Sequence, residues 1–430
     1  MVSSGWQEHN ERMATNQKEA EITIPLGIPD VKVLGTELDA QGHFIITVES
    51  TISGTKCRQC GQHLTQAHGL DAPISIRHLP MLGRQTYLRV RPKRYRCETC
   101  EGRPTTTQRQ EWSTPKVPHT QAYERHLLLQ MVNTTLADLS VKENLGVKEL
   151  EAVIDRWIAR KVDWRTLKRL RLLGLDEIAL RKGHGDFVVL VTAKLVNGEV
   201  RIVAVLPNRR KETVRQFLAS IPAATRRGIQ TVCTDLYEGY LNAVKEVLPH
   251  AAIVADRFHV ARLYRDAADQ VRKRELRRLK KELPKAAYQQ LKGVLWAFRK
   301  NAADLQAEEA AVLVRFFAYS PQAKEAYEYR AQLTAIFAAD LTKAAACVKL
   351  AAWQQAVTTA GVTCFEQFGK TLTNWWEEIT NYFINRDSSG FVEGFNNKVK
   401  VLKRRCYGIF NLDHLFQRIS LDLNGYRLFA

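Results

Sequence analysis

Between Leu172 and Val260 the sequence alternates strand-like and helix-like runs in an order that few folds accept. Leu172–Ala179 reads as a buried strand. Phe187–Ala193 and Val200–Leu206 follow as two more, joined across Asn197-Gly198, a strong hairpin signal. Lys211–Ser220 then turns helical, with Val214, Phe217 and Leu218 apolar. Gln230–Asp235 is a further short strand, Tyr237–Val247 a helix, and Ala252–Asp256 a last strand that leads into Arg257-Phe-His-Val260.

Three meandering strands, a helix, then two strands alternating with helices is the order of the ribonuclease H-like fold; other mixed sheets share it. Two of these strands carry carboxylates in unusual places. Asp176 sits inside a strand, where Asp is disfavoured, and Asp235 ends one. A buried lone carboxylate is costly unless paired or metal-bound. A third candidate lies far downstream. At the helical period, Ser389–Phe410 places Val392, Phe395, Val399 and Leu402 on one side. Glu393, Asn396, Asn397, Lys400, Lys403 and Arg404 fall on another. Three converging carboxylates would hold two divalent ions for an in-line displacement at phosphorus, and Mg²⁺ suits oxygen ligands. Each acid also has a structural role open to it. Asp176 can pair with Arg181 or Lys182, Asp235 can cap the helix near Tyr237, and Glu393 can pair with Lys400. Asp256 is expected to cap the helix at Phe258 rather than bind metal.

The charge balance favours a polyanionic partner. The 430 residues carry 64 Lys and Arg against 45 acids, a net +19, and nucleic acid is the commonest such partner. No apolar run is long enough to span a bilayer, and the first residues lack a signal-peptide core, so a cytoplasmic protein is expected. Cys57, Cys60, Cys97 and Cys100 form two C-x-x-C pairs beside strand-like basic sequence. Four such thiolates suit a structural Zn²⁺ with no open position. Because 36 residues separate Cys60 from Cys97, a ribbon elaborated by an intervening loop is expected. One strand is expected over Tyr87–Arg96. His63 and His68 read as loop residues, and the scattered Cys233, Cys347, Cys364 and Cys406 as core.

Residues 1–30 read as a mobile leader, 31–114 as a zinc-ribbon-like module, and Pro115–Pro118 as a linker within 115–162, a helix-turn-helix layout. Its last helix offers Lys148 and Arg156 to DNA, beside Glu149, Glu151 and Asp155. The core then runs over 163–260 and resumes over 386–430. Between them 261–385 is helical throughout, too long for a loop, and reads as an inserted helical domain. Trp296, Phe298, Phe316, Phe317, Trp353, Trp375 and Trp376 would supply its core. Arg272–Lys281, its densest basic run, would add salt-sensitive affinity for DNA. The whole is a multidomain α+β chain.

Across most of its length the sequence resembles the DDE transposases of bacterial insertion sequences, specifically the ISL3 family. The likeness rests on the two knuckles with Ile76-Arg-His-Leu-Pro80 and Tyr95-Arg-Cys97, on Leu175-Asp-Glu177 with Lys182-Gly-His184, and on Thr234-Asp-Leu-Tyr-Glu-Gly-Tyr240. Asp256-Arg-Phe-His-Val260 and Val392-Glu-Gly-Phe-Asn-Asn-Lys398 through Lys403-Arg404 and Tyr407-Gly408 complete it. Ser388-Ser389-Gly390 departs from the family, which more often has Asn before the Gly. The resemblance implies a catalytic triad of Asp176, Asp235 and Glu393 holding two Mg²⁺ (or Mn²⁺), and structural Zn²⁺ on the four cysteines. It also implies N-terminal modules that recognise the element's terminal inverted repeats, and a protein of the bacterial nucleoid. Cleavage would free a 3′-hydroxyl that attacks target DNA. Asn396, Asn397, Lys400, Lys403, Arg404 and Arg405 would position backbone phosphates. Joining two ends in one event calls for a dimer or higher oligomer. Two other functions fit the same residues: a DNA-binding regulator with an inert core, and a ribonuclease H-like nuclease without strand transfer.

Overall fold

The computed structural model describes residues 25–167, 170–179, 187–388, 390–406 and 411–430, and the main chain only over 390–396. The chain divides into two compact units, 1–127 and 128–430.

The first unit is built from short strands: β1 (Val31–Leu38), β2 (Phe44–Ser50), β3 (Thr55–Lys56), β4 (His63–Leu64), β5 (Ala67–Leu70), β6 (Ile74–Met81), β7 (Arg84–Val90), β8 (Lys93–Arg96) and β9 (Thr105–Thr107). One sheet runs β1-β2-β7-β6, a second β5-β8-β9, and β3 and β4 form a hairpin. Ile46, Val48, Ile76, Leu88, Val90 and Trp112 close the core of the first sheet. Tyr87–Arg96 is therefore two strands in two sheets rather than one. Pro92 stands at the break: it has no N–H for a ladder, and its carbonyl instead accepts from the Asp71 amide at 2.8 Å. The stretch between the cysteine pairs is not a loop, since it supplies β5, β6, β7 and β8. His63 and His68 lie on β4 and β5, exposed. The Pro115–Pro118 segment is pinned rather than free: Pro118 O accepts from Arg77 N at 2.8 Å and Arg77 O from Thr120 N at 2.9 Å.

Helix α1 (Gln121–Met131) leads into the second unit, where α2 (Leu136–Glu143) and α3 (Val147–Trp157) follow. Thr135 caps α2 by accepting from Asp138 N, the usual service of a Thr before a helix. The sheet is formed by β10 (Leu170–Ala179), β11 (Phe187–Leu195), β12 (Val200–Leu206), β13 (Thr231–Thr234) and β14 (Ala252–Ala255), in the order β12-β11-β10-β13-β14. β10, β11 and β12 pair antiparallel, whereas β13 and β14 join β10 in parallel. This order and polarity make the ribonuclease H-like core. Helices α4 (Lys211–Ser220) and α5 (Glu238–Val247) cover one face, over Leu173, Leu175, Val189, Val191 and Val232.

The opposite face is covered by the chain after β14. Helix α6 (Arg257–Glu282) leaves the sheet directly, and α7 (Ala307–Tyr319), α8 (Pro321–Ala338) and α9 (Lys343–Thr359) follow with shorter helices between. Their core is continuous with the sheet, because Leu172, Cys233, Val254 and Ala255 belong to the same buried cluster as Phe298, Phe316, Leu333 and Trp353. Phe317, Trp375 and Trp376 pack against it half-buried. Trp296, expected inside, is 65% exposed. The basic run is largely spent internally: Arg272 is buried and bonds Asp269 at 2.6 Å, and Arg278 pairs with buried Glu275 at 2.9 Å. Two last helices, α10 (Gly390–Arg405) and α11 (Leu412–Phe429), return to the sheet. Val399 and Leu402 of α10 join Leu415, Phe416 and Ile419 of α11 over Ile178, Val188 and Leu190.

Candidate active site and zinc centre

Sheet register brings the strand-end acids together. Leu175 lies opposite Thr234, and Thr234 opposite Ala255. The next residues, Asp176, Asp235 and Asp256, are thus neighbours at the same end of three adjacent parallel strands, where ligands bind in open α/β sheets. Alternation puts Asp176 on the side of Leu172 and Ile178, the face that meets α10. Glu177 points to the other side, where it accepts from Tyr240 Oη at 3.0 Å and pairs with Arg209 at 3.2 Å. Asp235 does not cap a helix: α5 begins at Glu238, its N-cap residue is Tyr237, and no side chain caps it. Asp256 does cap α6, accepting from Phe258 N at 2.9 Å.

One residue of this cluster enters the linear pattern only as a member of the Asp256-Arg-Phe-His-Val260 block, with no role attached to it. His259 Nδ1 lies 2.8 Å from Asp235 Oδ1 and 2.9 Å from Asp256 Oδ2. Hydrogen bonds to Asp235 and then Asp256 outweigh burial and push its pKa up to about 10. Ligand atoms of Asp235, Asp256 and His259 all fall within 4.8 Å of one another; Asp176 does not join that group of three. Asp176 Oδ1 accepts from Glu177 N at 2.6 Å. Arg181, Lys182 and His184 lie outside the described residues.

The side chains of Val392, Glu393, Phe395 and Asn396 are also outside the described residues, but the path of their helix is fixed at both ends. Just before it, Asp387 accepts from Arg171 at 2.6 Å and from Thr231 Oγ1 at 3.0 Å. Near its end the Lys403 ammonium donates to Ala179 O. Glu393 lies between these tethers along the chain, as Asp176 lies between Arg171 and Ala179 along β10. Of the cations, Lys400 and Arg404 are exposed beside Asn397. Arg405 is committed to Asp422 and Lys403 to β10, so neither guanidinium nor ammonium is idle.

On α3, Lys148 and Arg156 are exposed, and Arg156 is engaged within the chain. The acids of this helix have structural work. Asp155 takes Arg160 at 2.8 Å and Gln417 Nε2 at 2.9 Å, and Glu151 stands 4.0 Å from His414, both partners on α11.

In the first unit the four cysteines meet. Cys57 and Cys60 flank the β3–β4 turn, and Cys97 and Cys100 follow β8. Gly61 and Gly102 close the two knuckles with φ of +74° and +75°, left-handed values that side chains resist. The sulfurs of Cys57 and Cys100 are 3.9 Å apart and those of Cys60 and Cys97 3.8 Å. A Zn–S bond of about 2.3 Å implies sulfurs about 3.8 Å apart in a tetrahedral site. Hydrogen bonding by Thr99 brings Cys97 down to about 6. Contact with Cys60, then burial and the other sulfurs, pushes Cys100 up to about 12. Four thiolates crowd here only with a cation between them, and the set fits structural zinc.

A family model for transposases of the ISL3 type of DDE enzymes matches residues 173–419. The chain belongs to the ISL3 family of DDE transposases. A second model, for the zinc-finger of the transposases of IS204, IS1001, IS1096 and IS1165, matches residues 53–100 of this transposase, a span that holds all four cysteines. The transposase for insertion sequence element IS1001 of Bordetella parapertussis is 27% identical over 388 residues, which cover 88% of this chain and 91% of that protein. The transposase for element IS1557 of Mycobacterium tuberculosis is 22% identical over 393 residues, 86% of each chain. Among solved structures, the Drosophila P element transposase strand transfer complex is 11% identical at a TM-score of 0.35, covering 65% of this chain and 81% of that one. Among the described residues no helix is long and apolar enough to cross a membrane.

Proposed function

We propose that this transposase binds the terminal inverted repeats of its insertion sequence, cuts the DNA at their ends and joins the freed 3′-hydroxyl to target DNA. The observation that carries the reading is the register that sets Asp176, inside β10, beside Asp235, just past the end of β13, with α10, the helix that bears Glu393, packed on β10 at Ile178. Asp176, Asp235 and Glu393 are the catalytic carboxylates and would hold two Mg²⁺. The fit is chemical: these are hard oxygen donors, and the half-buried Asp235 and buried Asp256 already gather a cationic ring in His259. When bound, the ions would activate the attacking oxygen and stabilise the leaving one.

The chain's own groups do the rest. Asp256, locked as the α6 cap, and His259 hold the Asp235 carboxylate in one orientation. Lys400, Arg404 and Asn397 hold DNA phosphates beside the acids, while Lys403 and Arg405 hold α10 in place. In the second unit, α2 and α3 form the helix-turn-helix, with Lys148 and Arg156 on its exposed side and its acids turned to α11. Zinc on the four cysteines keeps the first unit in shape for DNA.

The test uses linear DNA carrying both element ends in Mg²⁺. Nicks at the element boundary that leave 3′-hydroxyls, followed by joined products, are expected. Intact protein that binds the ends yet never nicks them in Mg²⁺ or Mn²⁺ would be a regulator. Cutting without regard to end sequence would make it a general nuclease.

A further inference from the structure

The first sheet of the first unit has two edges, and they differ. Along β6, Arg77 N donates to Pro118 O at 2.8 Å and Arg77 O accepts from Thr120 N at 2.9 Å, which ties that edge to its own unit. At the other edge, β1 pairs with β2 alone among the described residues. Seven of its eight residues are exposed. Three of these are apolar: Val33 is 45% exposed, Leu34 56% and Leu38 54%. An open strand edge carries unpaired N–H and C=O groups and is a template for a further strand.

A bulge decides which residues of β1 share a face. The register passes from Val33 opposite Val48 to Gly35 opposite Thr47, so Leu34 is the extra residue. Val31, Val33, Thr36 and Leu38 therefore lie on the side of Ile46 and Val48, the core side of the sheet. Lys32, Gly35 and Glu37 lie on the other side. Without the bulge, Lys32 and Glu37 would stand on opposite faces, being an odd number of residues apart. With it they share a face and stand equally far from Gly35 in the ladder.

This spacing makes the strand complementary to itself. Two antiparallel copies related by a two-fold axis set one residue opposite its own counterpart, and residues equally far on either side opposite each other. Centred on Gly35, Glu37 faces the partner's Lys32, Thr36 faces the partner's Val33 and Leu38 faces the partner's Val31. Both charges are met, twice over, and the apolar residues of the two copies run on along the core side. Lys32 has no ion pair among the described residues, since Glu49 opposite it on β2 goes to Lys93 at 3.1 Å. Glu37 meets Arg89 at 2.7 Å, but both side chains are about half exposed, and such a pair holds Glu37 only weakly. A bulge and a lysine are also devices that keep edges apart. Here the bulge supplies the symmetry and the lysine finds an acid. We infer that β1 is a self-pairing edge, through which two copies of this chain join into one continuous sheet.

The experiment is sedimentation of the full-length protein without DNA over about 1–100 μM. One strand per copy covers less than the ~800 Å² per partner of a standard interface, so a dimer dissociating in the micromolar range is expected. Gly35→Glu sets like charges opposite each other at the axis. No atom lies within 4 Å of where that side chain would begin, so the fold of each copy is undisturbed. The variant should weaken the dimer at least about tenfold. Lys32→Glu and Glu37→Lys should each weaken it about tenfold, and the two together should restore it to within about threefold, a recovery that mere loss of strand stability would not give. The register has its own check. Gly35→Cys should yield a covalent dimer with oxidised glutathione, because Cα atoms about 5 Å apart across antiparallel strands suit a disulfide. Thr36→Cys, two steps from its own counterpart, should not. A monomer at every concentration overturns the inference, as would follow if another segment of the same chain covers β1. A dimer that Gly35→Glu leaves unchanged overturns it too, since its interface must lie elsewhere. None of these readouts involves cutting, so the proposed reaction stands or falls separately.

Discussion

At the scale of single residues, the proposed site divides into groups that hold metal and groups that hold those groups. Asp176 and Asp235 were legible because Asp is rare within strands, so two such positions invite an explanation. His259 stood out only as a member of the Asp256-Arg-Phe-His-Val260 block, and its part in the site was not legible. Its link to Asp235 depends on β13 and β14 pairing in register, which sets residues 24 apart in sequence side by side. Its assigned part is to position Asp235, and His259→Ala is expected to slow nicking about a hundredfold while end binding stays within about twofold. Steady-state nicking and anisotropy measured on the same preparation check this. A parallel loss of binding would mean a structural role only. For zinc, Cys97→Ser should lower the bound metal below one ion per chain and loosen the first unit, as metal analysis and proteolysis would show. Unchanged zinc would remove Cys97 from the set.

At the scale of elements, packing sets what each segment can do. Helix α10 was readable from its period, and Val399 and Leu402 are indeed buried against the sheet. What the pattern could not reveal is the pair of tethers, Asp387 on Arg171 and Thr231 and Lys403 on Ala179, because both are contacts across more than 150 residues. Leu402→Ala should cost about 2–5 kcal/mol and depress nicking more than end binding, since α10 carries Glu393. Chemical denaturation alongside the nicking assay tests it. Two of the acids beside Lys148 and Arg156 on α3, Glu151 and Asp155, meet His414 and Gln417 of α11, partners far off in sequence. Tyr87–Arg96 went astray for a local reason: the apolar-basic alternation of Leu88–Arg91 gives no sign that the hydrogen bonding breaks at Pro92.

At the scale of the whole molecule, the helices after β14 share a buried core with one face of the sheet, and more than a hundred residues separate β14 from α10, which packs on the same sheet. Trp296 escaped that core, which aromatic content alone could not reveal. Inside it, Asp269 is buried; burial alone would raise its pKa, but Arg272 and Arg299 outweigh it and hold the carboxyl well below the ordinary range. A folded-state value below the unfolded one adds stability above about pH 4 that is lost as acid protonates the carboxylate. Thermal unfolding should therefore show stability falling below about pH 4. Asp269→Asn should lower it by about 3 kcal/mol at neutral pH and flatten the acid limb. The net charge of +19 predicts a steep fall of end binding with salt. The central claim is that Asp176, Asp235 and Glu393 form one metal-dependent centre. Its most direct test compares Asp176→Asn, Asp235→Asn and Glu393→Gln with wild-type protein for nicking of an end-labelled inverted-repeat duplex in Mg²⁺, with binding measured in parallel. Each variant is expected to bind normally and nick at least about a thousandfold more slowly, ~4 kcal/mol of transition-state stabilisation. Nicking at the wild-type rate by any one of them would contradict the account.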